Sequence, residues 1–131
     1  MDSFTATNKV LDNLKLKYRY VDNIMNLTKD LEQAILSNDT VSLGAILDMR
    51  GNVMEMVDKL DSENREIASH LPSPLRERIE SIIIPKKEAE PITLDNPLET
   101  NIYDTNKRIG ALLAKIIKLD TALNQKVSGR K

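Results

Sequence analysis

Apolar residues in the last third of the chain fall at steps of four and three: Leu98, Ile102, Ile109, Leu112, Ile116, Leu119 and Leu123, with Thr105 in the one gap. Both step sizes bracket the helical period and keep the side chains on a single seam of an α-helix. The pattern predicts a helix over about 97–127, roughly 45 Å long at 1.5 Å per residue. Asn96 suits the cap, Pro97 the first helical position and Glu99 the returning carboxylate of a capping box. An apolar strip of that length has to lie against something.

Two earlier segments repeat the pattern. Over about 8–36, Leu14, Tyr18, Val21, Met25 and Ile35 form a stripe that Leu11, Ile24 and Leu31 widen. Ser37-Asn38-Asp39 interrupts it, with Asp39 placed to cap a second helix over about 40–69, and so short a break folds the two helices into an antiparallel hairpin. The second helix carries Leu43, Ile46, Arg50, Val53, Val57, Leu60, Asn64 and Ile67 on its seam, flanked by Leu47 and Met54 on one side and Met49 and Met56 on the other. A face this broad predicts two neighbours, and so a central place in the bundle between the first and last helices. Pro72 ends the second helix, and Ser73 and Pro74 can cap and start a short one over about 74–84 with Leu75, Ile79, Ile82 and Ile83. Residues 85–96 offer no seam and read as a linker. The expected architecture is all-α, a hairpin plus a short helix and a long C-terminal helix in an elongated three- to four-helix bundle, with 1–131 as a single domain.

Composition sharpens this picture. One Phe, three Tyr and no Trp leave the core to Leu, Ile, Val and Met, and four Gly leave few sites for hairpin turns. Charged residues make up 30% with a net charge near −1, which removes the electrostatic case for a nucleic-acid or anionic-membrane partner. No apolar run approaches spanning length and residues 1–17 hold no basic-then-apolar leader, so the expectation is a cytoplasmic protein without membrane insertion.

Polar residues on the seams invite a role. Arg50 could pair with Glu32 across the hairpin or with Asp120 on the last helix, as a register device or as part of a recognition surface. Met25, Met49, Met54 and Met56 read as core filler, with an adaptable docking surface as the alternative. Gly44 and Gly51, one heptad apart, each cost up to about 1 kcal/mol relative to Ala and suggest close backbone approach, either by another helix or by a partner. His70, the only histidine, decorates a helix end, and with no Cys, HExxH or paired Glu-x-x-His motif there is no expected metal, cofactor or catalytic residue. Lys107, Arg108, Lys115, Lys118 and Lys126 form a solvated face. The chain is not expected to be an enzyme.

The run Ala34-Ile35-Leu36-Ser37-Asn38-Asp39, followed by Leu43, Leu47, Arg50 and Leu60-Asp61, resembles the flagellar type III export chaperones of the FlgN and FliT type, and Ile116-Ile117-Lys118-Leu119-Asp120 is similar to FliT-type sequences. The resemblance implies a cytosolic helical chaperone that binds the helical terminal segment of a hook–filament junction or cap protein, prevents its premature self-assembly and brings it to components of the export apparatus. On that resemblance Ile102, Ile109, Leu112, Leu113, Ile116, Leu119 and Leu123 correspond to the client-binding segment, and the Pro-containing linker would let the seam open or close. The alternative is a coiled-coil scaffold or signalling bundle whose seam serves its own core, a homodimer or a hetero-oligomer.

Overall fold

The computed structural model describes residues 1–84 and 92–128, in which the helices are α1 (Ser3–Leu36), α2 (Thr40–Ser69), α3 (Leu75–Ile83) and α4 (Pro97–Ser128), with no strand among the described residues. The fold is the all-α bundle that the spacing predicts. Most of the expected linker, residues 85–91, lies outside the described residues.

α1 starts five residues earlier than its apolar stripe suggests. Asp2 caps it, accepting the Thr5 N–H at 2.7 Å, and this hydrogen bond holds the Asp2 carboxyl below its ordinary carboxylate range. The first turn escapes a hydrophobic reading because Phe4 points to solvent while Ala6 and Thr7 face inward. At the far end Asn38 adopts φ 54°, a left-handed conformation that Asn tolerates. The N–H groups of Asp39 and Asn38 reach back to the carbonyls of Ala34 (2.9 Å) and Ile35 (3.2 Å), a Schellman closure of the helix. Asp39 then caps α2 through the Ser42 N–H (3.0 Å) and hydroxyl (2.6 Å), bonds that likewise lower its pKa.

The hairpin's register is set by polar pairs. Asn13 Nδ2 donates to Asn64 Oδ1 at 2.9 Å, Asn64 Nδ2 donates to the Val10 carbonyl at 3.4 Å, and Lys17 Nζ lies 2.7 Å from Asp61 Oδ1. Both asparagines are buried. Replacing Asn64 by Ala strands the Asn13 amide and should cost about 1–3 kcal/mol in denaturant unfolding, whereas Asn13→Leu with Asn64→Leu should come out close to neutral.

The central helix is α1, not α2. α1 packs on both α2 and α4, while α2 packs on α1 and α3 and its backbone does not approach that of α4. Fourteen residues of α1 are buried against four of α2, so the breadth of the α2 face is not matched by a second long neighbour. α4 runs parallel to α1: Ile102 and Ile109 share a cluster with Val10 and Leu14, whereas Leu123 packs with Leu27, Leu31 and Ile35, and Lys126 Nζ lies 4.0 Å from Glu32 Oε2.

α3 braces the base of the bundle between α2 and α4. Ser73 makes no cap for it; the Ser73 hydroxyl donates instead to Glu77 Oε1 at 2.6 Å, across a cis Ser73–Pro74 bond. Asn106 Nδ2 donates to the Ile82 carbonyl (2.9 Å). Asn96 caps α4 as expected, the Glu99 N–H donating to Asn96 Oδ1 at 3.0 Å, but the returning carboxylate of a capping box is used differently: Glu99 accepts from the Asn96 side-chain Nδ2 at 2.8 Å and from the Asp95 N–H at 3.3 Å, not from the Asn96 N–H. The fully buried Glu99 carboxylate also receives Arg78, a partner that the sequence reading did not identify.

Candidate functional site

Helical geometry sorts the seven client-binding candidates into three rows. Ile102, Ile109, Ile116 and Leu123, spaced seven apart, are at most 4% exposed and form the inner row of the α4 contact with α1. Leu112 and Leu119 lie half-buried on one flank, and Leu113 lies half-buried on the other, in line with Asp120. The strip identified by its spacing is therefore closed in this conformation. A second molecule reaches the inner row only if α4 lifts from α1.

Arg50 turns to Asp120, whose Oδ2 accepts from Nη2, and it does not meet Glu32. The Asn13–Asn64 and Lys17–Asp61 pairs place Arg50 level with Leu27, more than a turn from Glu32 along α1, and Glu32 lies beside Lys126 instead. The ion pair thus ties α2 to α4 across a gap that their backbones leave open. Arg50 Nε is buried without a hydrogen-bond partner, the one such side-chain atom among the described residues.

The side chains flanking this ion pair are apolar and open. Leu47 and Met54 stand three residues before and four after Arg50 and so share its side of α2, and each is 48% exposed. Ile117 and Leu113 stand three and seven before Asp120 and share its side of α4, with Ile117 64% exposed. A shallow apolar cleft results, with α2 and α4 as walls, α1 as floor and one ion pair across it. Ile117 escapes a seam search because it falls outside the four-three series.

The methionines divide. Met25 is buried in the core, as filler should be, but Met49, Met54 and Met56 are 40–48% exposed, so the core-filler expectation fails for these three. At Gly44 and Gly51 a Cβ would meet nothing within 4 Å, so of the two expected causes of close backbone approach, another helix of this chain is ruled out among the described residues. Gly44→Ala and Gly51→Ala should each raise stability by up to about 1 kcal/mol, read as a higher denaturation midpoint.

His70 closes the end of α2 with Nε2 2.9 Å from Glu66 Oε1, both side chains exposed. A pocket of about 270 Å³ beside it is lined by Ala6, Ile67 and Leu71, and one of about 230 Å³ at the hairpin tip by Ala34, Leu43 and Val127. Among the described residues no three His, Cys, Asp or Glu side chains converge as metal ligands, and no helix is long and apolar enough to cross a membrane. Comparison of the chain with protein-family models, curated proteins and solved structures finds no match.

Proposed function

We propose that this chain is a non-catalytic, cytoplasmic helix-binding chaperone of the flagellar export type that its sequence resembles. It holds the helical terminal segment of a hook–filament junction or cap protein until that protein reaches the export apparatus. One observation carries the reading: Leu47, Met54 and Ile117 form an uncovered apolar row along the cleft between α2 and α4. An amphipathic client helix laid there covers all three, and Met54 adapts its flexible thioether to different client side chains. Burying the exposed halves of three such side chains contributes about 2–4 kcal/mol, less than the cost of association requires for a tight complex. Tighter grip comes from α4 lifting off α1, which adds Ile102, Ile109, Ile116 and Leu123 to the docking face.

The scaffold reading, in which the seam serves only the chain's own core or an oligomer, is favoured by a different observation, the closure of that inner row on α1. Capture of a junction or cap segment separates the two. Co-purification of that segment with the full chain should fall at least tenfold for Leu47→Ser with Met54→Ser, uncharged changes at half-exposed positions, with circular dichroism and melting measured alongside to show that the fold is kept. Undiminished capture by the doubly substituted chain, or none by the unsubstituted one, would sink the cleft as the docking site. Truncation before α4 is the poorer test, because it strips Val10 and Leu14 of their packing against Ile102 and Ile109.

A further inference from the structure

The outward surface of α2 has a pattern beyond its apolar edge. Gly44, Asp48, Gly51, Glu55 and Asp58 follow one another at steps of four, three, four and three, which makes them a single stripe. All five are exposed, and neither glycine has an atom near the place of its missing Cβ. Leu47 and Met54, four before and three after Gly51, border this stripe on its cleft side. Between Val41 and Asp58 the only cation is Arg50, which is engaged by Asp120, and the exposed Lys59 follows at the lower end of the stripe. Asp48, Glu55 and Asp58 make no ion pair among the described residues. From Gly44 to Asp58, α2 therefore presents an apolar edge beside three carboxylates, with two gaps in the side-chain layer where another backbone can come close.

We infer that the partner of this face is an amphipathic helix with Lys or Arg along one border of its apolar stripe. The apolar stripe covers Leu47, Met54 and Ile117, and the basic border falls on Asp48, Glu55 and Asp58. The glycines let that helix approach α2 more closely than side chains would permit. An acidic border would set like charges side by side, so the charges select the partner and set its direction along the cleft. This inference rests on the helix-binding reading above and adds the chemistry of the bound helix.

The test uses two labelled synthetic helices with the same apolar stripe, one bordered by Lys and one by Glu, titrated by fluorescence anisotropy into the full chain at about 50 mM salt. The Lys-bordered helix should bind at least tenfold tighter, with the preference shrinking as salt is added. Asp48→Lys with Glu55→Lys and Asp58→Lys, all at exposed positions, should reverse the preference. Leu47→Ser with Met54→Ser, which removes the apolar edge without adding charge, should weaken the Lys-bordered helix at least tenfold. Equal binding of the two helices, or a preference that survives charge reversal, overturns the inference while leaving a helix-binding cleft in place. Binding of neither helix overturns both. A free chain that sediments as a dimer, and as a monomer once Leu47 and Met54 are replaced, assigns the face to a second copy and overturns the inference as well.

Discussion

Replacing Glu99 by Ala should cost the fold about 3–5 kcal/mol, a large share of the stability of a chain this size. The carboxylate is fully buried and accepts from Arg78 Nε at 2.7 Å, Arg78 Nη2 at 3.2 Å, Asn96 Nδ2 at 2.8 Å and the Asp95 N–H at 3.3 Å. Four donors fill the acceptor sites of a carboxylate. Removing it leaves the Arg78 guanidinium, most of it buried, with only the exposed Asp95 at 3.7 Å as counter-charge, and leaves the Asn96 amide and the Asp95 N–H without their acceptor. In the intact protein the Glu99 hydrogen bond raises the Arg78 pKa above its ordinary value; without Glu99 the guanidinium still keeps its proton, because an arginine is intrinsically too basic to escape the cost by deprotonating. Arg78→Met with Glu99→Leu should recover most of the loss, since an apolar pair needs no counter-charge. Urea unfolding of the single and double substitutions gives the coupling directly. A loss below about 1 kcal/mol for Glu99→Ala would mean that water reaches the pair.

Ile109→Ala should cost about 2–5 kcal/mol and Ile117→Ala no more than about 0.5 kcal/mol. The two side chains are identical and eight residues apart on one helix, yet Ile109 is 1% exposed and packs in the central cluster while Ile117 stands in the cleft, mostly open. The difference comes from what each side chain touches, not from helix propensity, which is the same at both positions. Thermal or urea unfolding of the pair therefore measures the rotation of α4 against α1. Similar losses at both positions would mean that α4 sits differently or that the chain is not a monomer in solution.

The helices were legible in the sequence because local spacing writes them. The four-three steps place α4 correctly, and Asp39 and Asn96 mark helix starts through short-range hydrogen bonds. The start of α1 was not, because its first turn buries only Ala6 and Thr7, which carry little hydrophobic signal. Packing partners were harder still. The width of the α2 apolar face suggested a second long neighbour, but a wide face also arises where side chains await an external partner, and spacing alone does not distinguish these cases. For Arg50 the sequence offered two acids, and only the three-dimensional register, fixed by the buried Asn13–Asn64 pair, separates them. Arg78 and Glu99 lie twenty-one residues apart on different helices, so no local rule joins them. The closed inner row and the open cleft are distinguished by their place around the bundle, which periodicity does not encode.

The central position of α1 bears on how the chain is made. Its second partner, α4, leaves the ribosome only after α2 and α3. Between the end of α2 at Ser69 and the end of α4 at Ser128, roughly 60 residues must be added, some 3–12 s of translation at ordinary rates. Throughout that interval Val10, Leu14, Val21 and Met25 belong to a hairpin whose other side is bare. The nascent hairpin is at its stickiest until α4 arrives to cover it, and rare codons in the stretch encoding α4 would prolong that exposure.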